Sequence, residues 1–267
     1  MNDTITITSD GLELVAESFG SGSPIIAAHG LTGNRQMTKR QFQTLAEKFF
    51  IVVFDQRGHN DSSPITVPSL YNPDRMAEDI RNIMDAYQIQ KAIIQGESMG
   101  AATALLFALK YPQRVKTLIL TGPAFSDKPN PEIESLRMMA QDIKKYGKEQ
   151  YLQLSARRMQ ENWNAPDEVI ESVQFMQNSH QEDSLITALE TVKDWIILDN
   201  IAEISQLMMP VYIVAWRDDP LHPLELAERM VKYLPNVKLE ILPSVSHVFL
   251  DQGAVLGDIY HQFLTSD

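Results

Sequence analysis

Short apolar runs recur along the chain, and amphipathic stretches lie between them. Uninterrupted apolar segments occupy residues 24–28, 50–54, 92–94, 118–120 and 211–215. Runs of this kind are typical of strands that are buried on both faces of a parallel sheet. One intervening stretch carries a helical stripe with spacings of four, three and four residues, made of Met76, Ile80, Ile83 and Tyr87. The alternation of strand and helix predicts an α/β fold with a mainly parallel central sheet flanked by helices.

This alternation is interrupted between residues 127 and 206. The interrupting segment shows no strand pattern but four helical stripes: Ile133/Leu136/Met139/Ile143, Leu152/Ala156/Met159/Trp163, Val169/Val173/Met176 and Leu185/Leu189/Val192/Ile196. The apolar run at 211–215 then resumes the sheet. We therefore expect residues 127–206 to form an all-helical cap, inserted into one core domain built from residues 1–126 and 207–267.

Composition excludes several classes of protein. The 267 residues include no cysteine, which excludes disulfides, thiolate metal sites and cysteine nucleophiles. The formal net charge of −12 repels phosphate backbones and anionic membranes, so we expect neither nucleic acid nor a membrane as a partner. No apolar run approaches the roughly 20 residues of a membrane-spanning helix, and the N-terminus lacks the pattern of a signal peptide. These features predict a soluble, cytoplasmic protein.

A candidate nucleophile lies directly after one of the predicted strands. Residues Gly96–Gly100 match the pattern G-x-S-x-G, with Ser98 at its centre and an apolar helical stretch behind it. A sharp turn between strand and helix holds such a serine in a strained backbone conformation and exposes its hydroxyl above the sheet. The helix N-terminus beside it favours a developing oxyanion.

A serine hydroxyl needs a base to become nucleophilic, and the base needs an acid to orient it. His247 follows the predicted strand at 237–241, and both Asp218 and Asp219 follow the strand at 211–215. All these positions fall at the carboxyl ends of strands, so the side chains face one crevice. The order Ser, Asp, His along the chain is that of the α/β-hydrolases.

The chain resembles an α/β-hydrolase-fold enzyme with a helical cap, and the likeness covers nearly its whole length. It is carried by four segments: His29–Gly33 (H-G-x-x-G), Asp55–His59 (D-x-R-G-x), Gly96–Gly100 (G-x-S-x-G) and Trp216–Pro223, similar to the acid loop G-x-x-D-x-x-x-P. Two positions depart from the pattern. Trp216 replaces the first glycine of the acid loop, and Asn60 stands where many relatives have glycine.

The resemblance implies roles for individual residues. Counting back four positions from Pro223 makes Asp219 the acid, with Asp218 as its rival. The catalytic residues would be Ser98, His247 and Asp219. The oxyanion hole would consist of the backbone N–H groups of Leu31 and Met99.

The implied reaction is that of a serine hydrolase that needs no cofactor. It would cleave an ester, thioester or lactone of a small, largely apolar acid through an acyl-enzyme on Ser98. Small carboxylesterases and enol-lactonases are the nearest general likenesses. Two alternatives stay open: a carbon–carbon bond hydrolase or lyase of the same fold, and a small-molecule receptor or signalling module that retains the triad.

The remaining histidines are expected to be structural or exposed. His29 and His59 should stabilise their loops. His222 could approach the pocket, but we expect it to be exposed, because a histidine directly before a proline that starts a helix usually is. His180 and His261 should lie on the surface. The spacing of the histidines favours no metal site. The apolar substrate pocket is expected to be lined by Phe125, Met139, Met159, Trp163 and Val248.

Overall fold

Eight strands form one sheet, and the five predicted apolar runs lie in β3 to β7. The structure, a computed structural model, describes residues 3–130 and 133–265, apart from the side chains of Ile133, Trp163 and Gln252. The strands are β1 (Asp3–Ser9), β2 (Leu12–Gly20), β3 (Ser23–Ala28), β4 (Phe49–Phe54), β5 (Ala92–Glu97), β6 (Val115–Thr121), β7 (Val211–Trp216) and β8 (Val237–Leu242). They are ordered β1-β2-β4-β3-β5-β6-β7-β8, with β1 and β2 antiparallel to their neighbours and the rest parallel.

Nine helices accompany the sheet in the described part of the chain. They are α1 (Arg35–Phe42), α2 (Pro73–Ala86), α3 (Met99–Lys110), α4 (Ile133–Tyr146), α5 (Lys148–Trp163), α6 (Asp167–Asn178), α7 (Glu182–Val192), α8 (Leu224–Val231) and α9 (Ala254–Thr265). Short 3₁₀ helices lie at Gln43–Leu45, Pro68–Leu70, Pro112–Arg114, Ile201–Gln206, Val245–Val248 and Leu250–Gly253. The predicted α/β fold is confirmed. None of the described helices is long and apolar enough to cross a bilayer.

The order of the strands determines where a site can form. Strands β3 and β5 are neighbours at the centre of the sheet, with Ala28 paired to Gly96. The chain leaves both strands at the same edge, so the loop at residues 29–33 lies beside Ser98. Loops after β6 and β7 meet at this edge as well. Crevices beyond the carboxyl ends of parallel strands are the usual place for ligands in open α/β sheets.

Each face of the sheet has its own apolar core. The larger cluster contains the buried residues of α2 and α3, and the smaller one packs α1 and α9 against the opposite face. Helix α3 is buried on almost every side, which explains its apolar sequence. The N-terminal hairpin turns at Asp10 and Gly11, whose φ values of 54° and 79° belong to a tight two-residue turn.

Between β6 and β7 the described residues form helices α4 to α7, one 3₁₀ helix and connecting loops, and no strand. Helices α4 and α7 pack together, as do α5 and α6. The last member of the fourth predicted stripe, Ile196, does not belong to the helix. Helix α7 ends at Val192, and Ile196 lies beyond it with 56% of its surface exposed. Ser184 joins α7 to the core, since its hydroxyl accepts a hydrogen bond of 2.6 Å from the backbone N–H of Ile65.

Candidate active site

Ser98 occupies a strained turn between β5 and α3. Its φ of 53° and ψ of −111° lie outside the regions that ordinary residues prefer. The flanking glycines make the turn possible. A Cβ on Gly96 would lie 2.0 Å from the carbonyl oxygen of Gly100, and one on Gly100 would lie 2.3 Å from that of Ala28. Any side chain at either position would therefore open the turn that presents the hydroxyl.

A histidine is hydrogen-bonded to this hydroxyl, but it is His222. Nε2 of His222 lies 2.8 Å from Oγ of Ser98, and Nδ1 lies 2.5 Å from Oδ2 of Asp219. A carboxylate can only accept a hydrogen bond, so Nδ1 of His222 carries the proton. Nε2 then has a free lone pair and accepts a hydrogen bond from the hydroxyl of Ser98. The expectation that His222 is exposed was wrong, since 12% of its side chain is accessible.

Asp219 has three donors around its carboxylate. Oδ2 accepts from the indole N–H of Trp216 at 3.0 Å as well as from His222, and Oδ1 accepts from the N–H of Leu221 at 2.9 Å. Burial acts to raise the pKa of Asp219, but these hydrogen bonds outweigh it and hold the pKa below its usual value. The residue at 219 is thus held as a carboxylate that fixes the tautomer of His222.

Trp216 explains why the acid loop takes this shape. The resembling family has glycine at this position, whereas here a fully buried indole reaches Asp219 and packs edge-on against His222, with ring centroids 5.6 Å apart. Gly122 makes the room: a Cβ there would lie 2.7 Å from the Trp216 ring and 3.3 Å from that of His222. Asn130 holds the outer end of the loop by donating to the carbonyl of Leu221 at 2.9 Å.

His247 lies in the loop after β8, as predicted, but in this structure it is turned elsewhere. Its Nδ1 donates to the carbonyl of Ser244 at 2.8 Å, and in the described part of the chain no hydrogen bond joins it to Ser98 or Asp219. Asp218 acts on the same loop, since its Oδ1 accepts from the N–H of Val245 at 2.8 Å. The two aspartates therefore have different tasks, Asp219 beside His222 and Asp218 beside the loop of His247.

The loop expected to supply an oxyanion donor lies against the nucleophile. A Cβ on Gly30 would approach Cβ of Ser98 to 3.4 Å. Leu31 and Met99 are buried beside it, 7% and 0% exposed, and no hydrogen bond within the described residues engages the N–H of either. Backbone donors beside a nucleophile are suited to stabilise a tetrahedral oxyanion, and the oxyanion hole at Leu31 and Met99 stays a prediction.

Three histidines hold this loop from behind. Nδ1 of His29 donates to the carbonyl of Gly30 at 2.7 Å, Nε2 of His59 lies 2.7 Å from that of Leu31, and Nε2 of His180 donates to that of Thr32 at 2.8 Å. The structural roles expected for His29 and His59 match these contacts. The surface position expected for His180 was wrong, because only 1% of it is exposed.

Glu97 precedes the nucleophile and adds a second carboxyl to the neighbourhood. Its Oε2 accepts a hydrogen bond of 3.1 Å from the amide of Gln41 in α1. Burial raises the pKa of Glu97, and the nearby His222 and Gln41 only partly offset that effect. The carboxyl of Glu97 is therefore protonated more readily than that of an exposed glutamate.

The expected pocket residues lie in different parts of the structure. Phe125 is buried against Trp195, with ring centroids 5.6 Å apart, and Val248 belongs to the smaller sheet-face core. Met139 is half-buried against the larger core. Met159 is buried in a cluster with Ala165, Val169 and Ile170. The side chain of Trp163 lies outside the described part of the chain. A pocket formed by these residues stays a prediction.

Sequence reasoning missed His222. A signal was present, because the residue lies three positions after the predicted acid in a loop at the carboxyl edge of the sheet. The inference from Pro223, which starts α8, outweighed it. The contribution of Trp216 could not be read from the residues alone, because it depends on the space left by Gly122, which follows the neighbouring strand β6.

Comparison with known proteins agrees with the fold. The family described as alpha/beta hydrolase fold matches residues 23–254, so the chain belongs to that family. A 3-oxoadipate enol-lactonase from Acinetobacter baylyi is 24% identical over 251 residues, which are 91% of this chain and 89% of that protein. A 2-hydroxy-6-oxo-6-phenylhexa-2,4-dienoate hydrolase from Burkholderia cepacia is 26% identical over 262 residues, covering 91% and 88%. The structure of a thermophilic esterase from Thermogutta terrifontis superimposes with a TM-score of 0.80 and 25% identity over 98% of both chains. This protein is a hydrolase of the α/β-hydrolase fold.

Proposed function

We propose that the protein is a serine hydrolase that cleaves an ester, thioester or lactone of a small, largely apolar acid and needs no cofactor. The observation that carries the proposal is the unbroken hydrogen-bond chain from Oγ of Ser98 through the ring of His222 to Oδ2 of Asp219. A hydroxyl, an imidazole with its Nε2 lone pair free and a buried carboxylate are the parts that acyl transfer requires. The similarity to an enol-lactonase and an esterase supports the substrate class.

The reaction follows from the positions of these groups. Oγ of Ser98 attacks the carbonyl carbon while Nε2 of His222 takes its proton, and Asp219 stabilises the resulting imidazolium. The N–H groups of Leu31 and Met99 stabilise the negative oxygen of the tetrahedral intermediate. His222 then passes the proton to the leaving oxygen or sulfur, and the acyl group stays on Ser98. Water, deprotonated by His222, attacks that ester and releases the acid and the serine.

The nucleophile is tested by covalent trapping. A fluorophosphonate should label wild-type protein once, and peptide mass spectrometry should place the adduct on Ser98. Ser98→Ala should stay folded, resist labelling and lose turnover on the order of 10⁴-fold or more, because the attacking group is gone. A panel of esters, thioesters, lactones and one substrate that is cleaved at a carbon–carbon bond then defines the bond that is cleaved. Labelling of a different serine would contradict the proposal.

The base is tested by a matched pair of variants, His222→Gln and His247→Gln. Glutamine keeps a polar side chain of similar size but cannot take a proton at Nε2. We expect His222→Gln to lower kcat on the order of 10⁴-fold or more, the loss caused by removing a triad histidine, and His247→Gln to lower it less than tenfold. The reverse result would assign the base to His247, the expectation from the sequence, and would mean that the loop at 244–253 moves during turnover.

A further inference from the structure

The helical segment between β6 and β7 reaches the oxyanion loop through a buried histidine. His180 lies between α6 and α7, and its Nε2 donates to the carbonyl of Thr32 across 148 residues of sequence. Its neighbour Ser179 accepts a hydrogen bond of 3.0 Å from the side-chain amide of Asn34, which begins α1. The turn that joins α6 to α7 is therefore fastened at two points to the loop beside Ser98.

This loop carries three successive carbonyls that each have a partner. Gly30 accepts from the N–H of Gly33 at 2.9 Å and from His29, and Leu31 lies against His59. The third carbonyl, that of Thr32, is held by His180. The partners of the first two carbonyls, His29, Gly33 and His59, lie in loops that follow β3 and β4. His180 comes from the helical segment. The direction of the Leu31 N–H depends on how these three peptides are fixed.

The ring of His180 is held in one tautomer. Its Nδ1 faces the backbone N–H of Asn60 at 3.4 Å, which leaves Nε2–H as the donor toward Thr32. Its other close neighbours are the edge-on ring of His59, with centroids 5.1 Å apart, and the ammonium of Lys148, which donates to the His180 carbonyl at 2.5 Å. Burial and these neighbours lower the pKa of His180 to about 3, so the ring stays neutral through the working range of a hydrolase.

We propose that His180 is a positioning residue, through which the helical segment sets the geometry of the oxyanion hole. The inference rests on the proposed function. The bond to Thr32 keeps the loop at 30–33 pressed toward Ser98, so that the N–H of Leu31 points at the oxygen that becomes negative. An interaction that forms only in the transition state changes kcat without changing substrate binding. A movement of α6 and α7 on substrate entry would reach the reacting oxygen by the same route.

The test compares three substitutions at position 180. His180→Gln keeps an N–H donor at the distance of Nε2, His180→Met keeps a similar length and volume without a donor, and His180→Phe keeps a ring without a donor. We expect Met and Phe to lower kcat about tenfold to a hundredfold, less than the loss of a whole oxyanion donor, with KM within about twofold. Gln should stay within about threefold of wild type. His261→Phe on α9 is the control and should leave both constants unchanged.

Each outcome decides between two readings. Each variant is assayed below its unfolding transition. Each kcat is calculated per site that reacts with the fluorophosphonate, so unfolded molecules in a sample do not lower it. Wild-type kcat in the Met and Phe variants would overturn the inference. An equal loss in Gln, Met and Phe would also overturn it, because the donor that Gln retains would then preserve no part of kcat. If wild-type protein neither turns over esters nor labels at Ser98, the proposed function has failed instead.

Discussion

At the scale of the residue, one of the two departures from the family pattern, Trp216, has local consequences at the site. Trp216 brings an indole donor to Asp219 and an aromatic wall to His222, in space that Gly122 leaves open. Asp219 therefore already has three donors, and His222 is held between a carboxylate and a serine hydroxyl. The indole of Trp216 thus supports both members of the pair that faces the nucleophile.

The two neighbouring aspartates give a residue-scale prediction. Asp219→Asn should lower kcat on the order of 10²–10⁴-fold, because an amide can donate to Nδ1 of His222 and so favours the wrong tautomer. Asp218→Asn should lower kcat less than tenfold. Asp218 accepts from Val245 rather than from His222, and an amide oxygen can still accept that hydrogen bond. Steady-state kinetics on one ester decide the question. A larger loss in Asp218→Asn would mean that the loop of His247 supplies the working base.

At the scale of the element, the sequence predicted strands better than loops. Apolar runs marked β3 to β7 to within three residues at each end, because a strand buried on both faces must be apolar along its length. The elbow was equally readable, since only glycine fits at Gly96 and Gly100. The acid loop was not, because its shape depends on a contact between Trp216, the last residue of β7, and Gly122, which follows β6 and is distant in sequence. The helical stripes failed only where α7 ends before Ile196.

The helical segment gives an element-scale prediction for Met139 and Met159. Both side chains should lie close enough to the crevice to limit the acyl group, so Met139→Ala and Met159→Ala should shift the preference toward longer chains. Met159 also packs with Val169 and Ile170, and losing it should destabilise the fold by roughly 2–4 kcal/mol. Kinetics on esters from acetate to octanoate and urea unfolding give the two readouts.

Met208→Ala is the matched control for this pair. Met208 is 72% exposed, so its loss should change neither the chain-length profile nor the free energy of unfolding. A profile that stays the same in Met139→Ala and Met159→Ala would assign these side chains to helix packing alone. The pocket that selects the acyl group would then lie with Phe125 or Val248.

At the scale of the whole molecule, the acidic surface and three buried histidines have opposite effects on stability as the pH falls. The net charge of −12 falls toward zero as pH approaches the pI of about 4.9, which reduces self-repulsion in the folded state. His29, His59 and His180 act in the opposite direction. Burial lowers the pKa of each, so the unfolded chain takes up protons below about pH 6.5 that the folded chain refuses. The linkage makes stability fall as the pH falls.

His180 allows this linkage to be measured at one residue. With a folded pKa of about 3 and an unfolded value near 6.5, its contribution should cost about 1 kcal/mol of unfolding free energy between pH 7 and pH 5.5. His180→Gln removes the titrating group and keeps the hydrogen bond to Thr32, so its unfolding free energy should fall less over this range by that amount. Urea unfolding at the two pH values, followed by tryptophan fluorescence, measures the difference. A slope in His180→Gln equal to that of wild type would contradict the assignment of a neutral, buried ring to His180, whatever its effect on kcat.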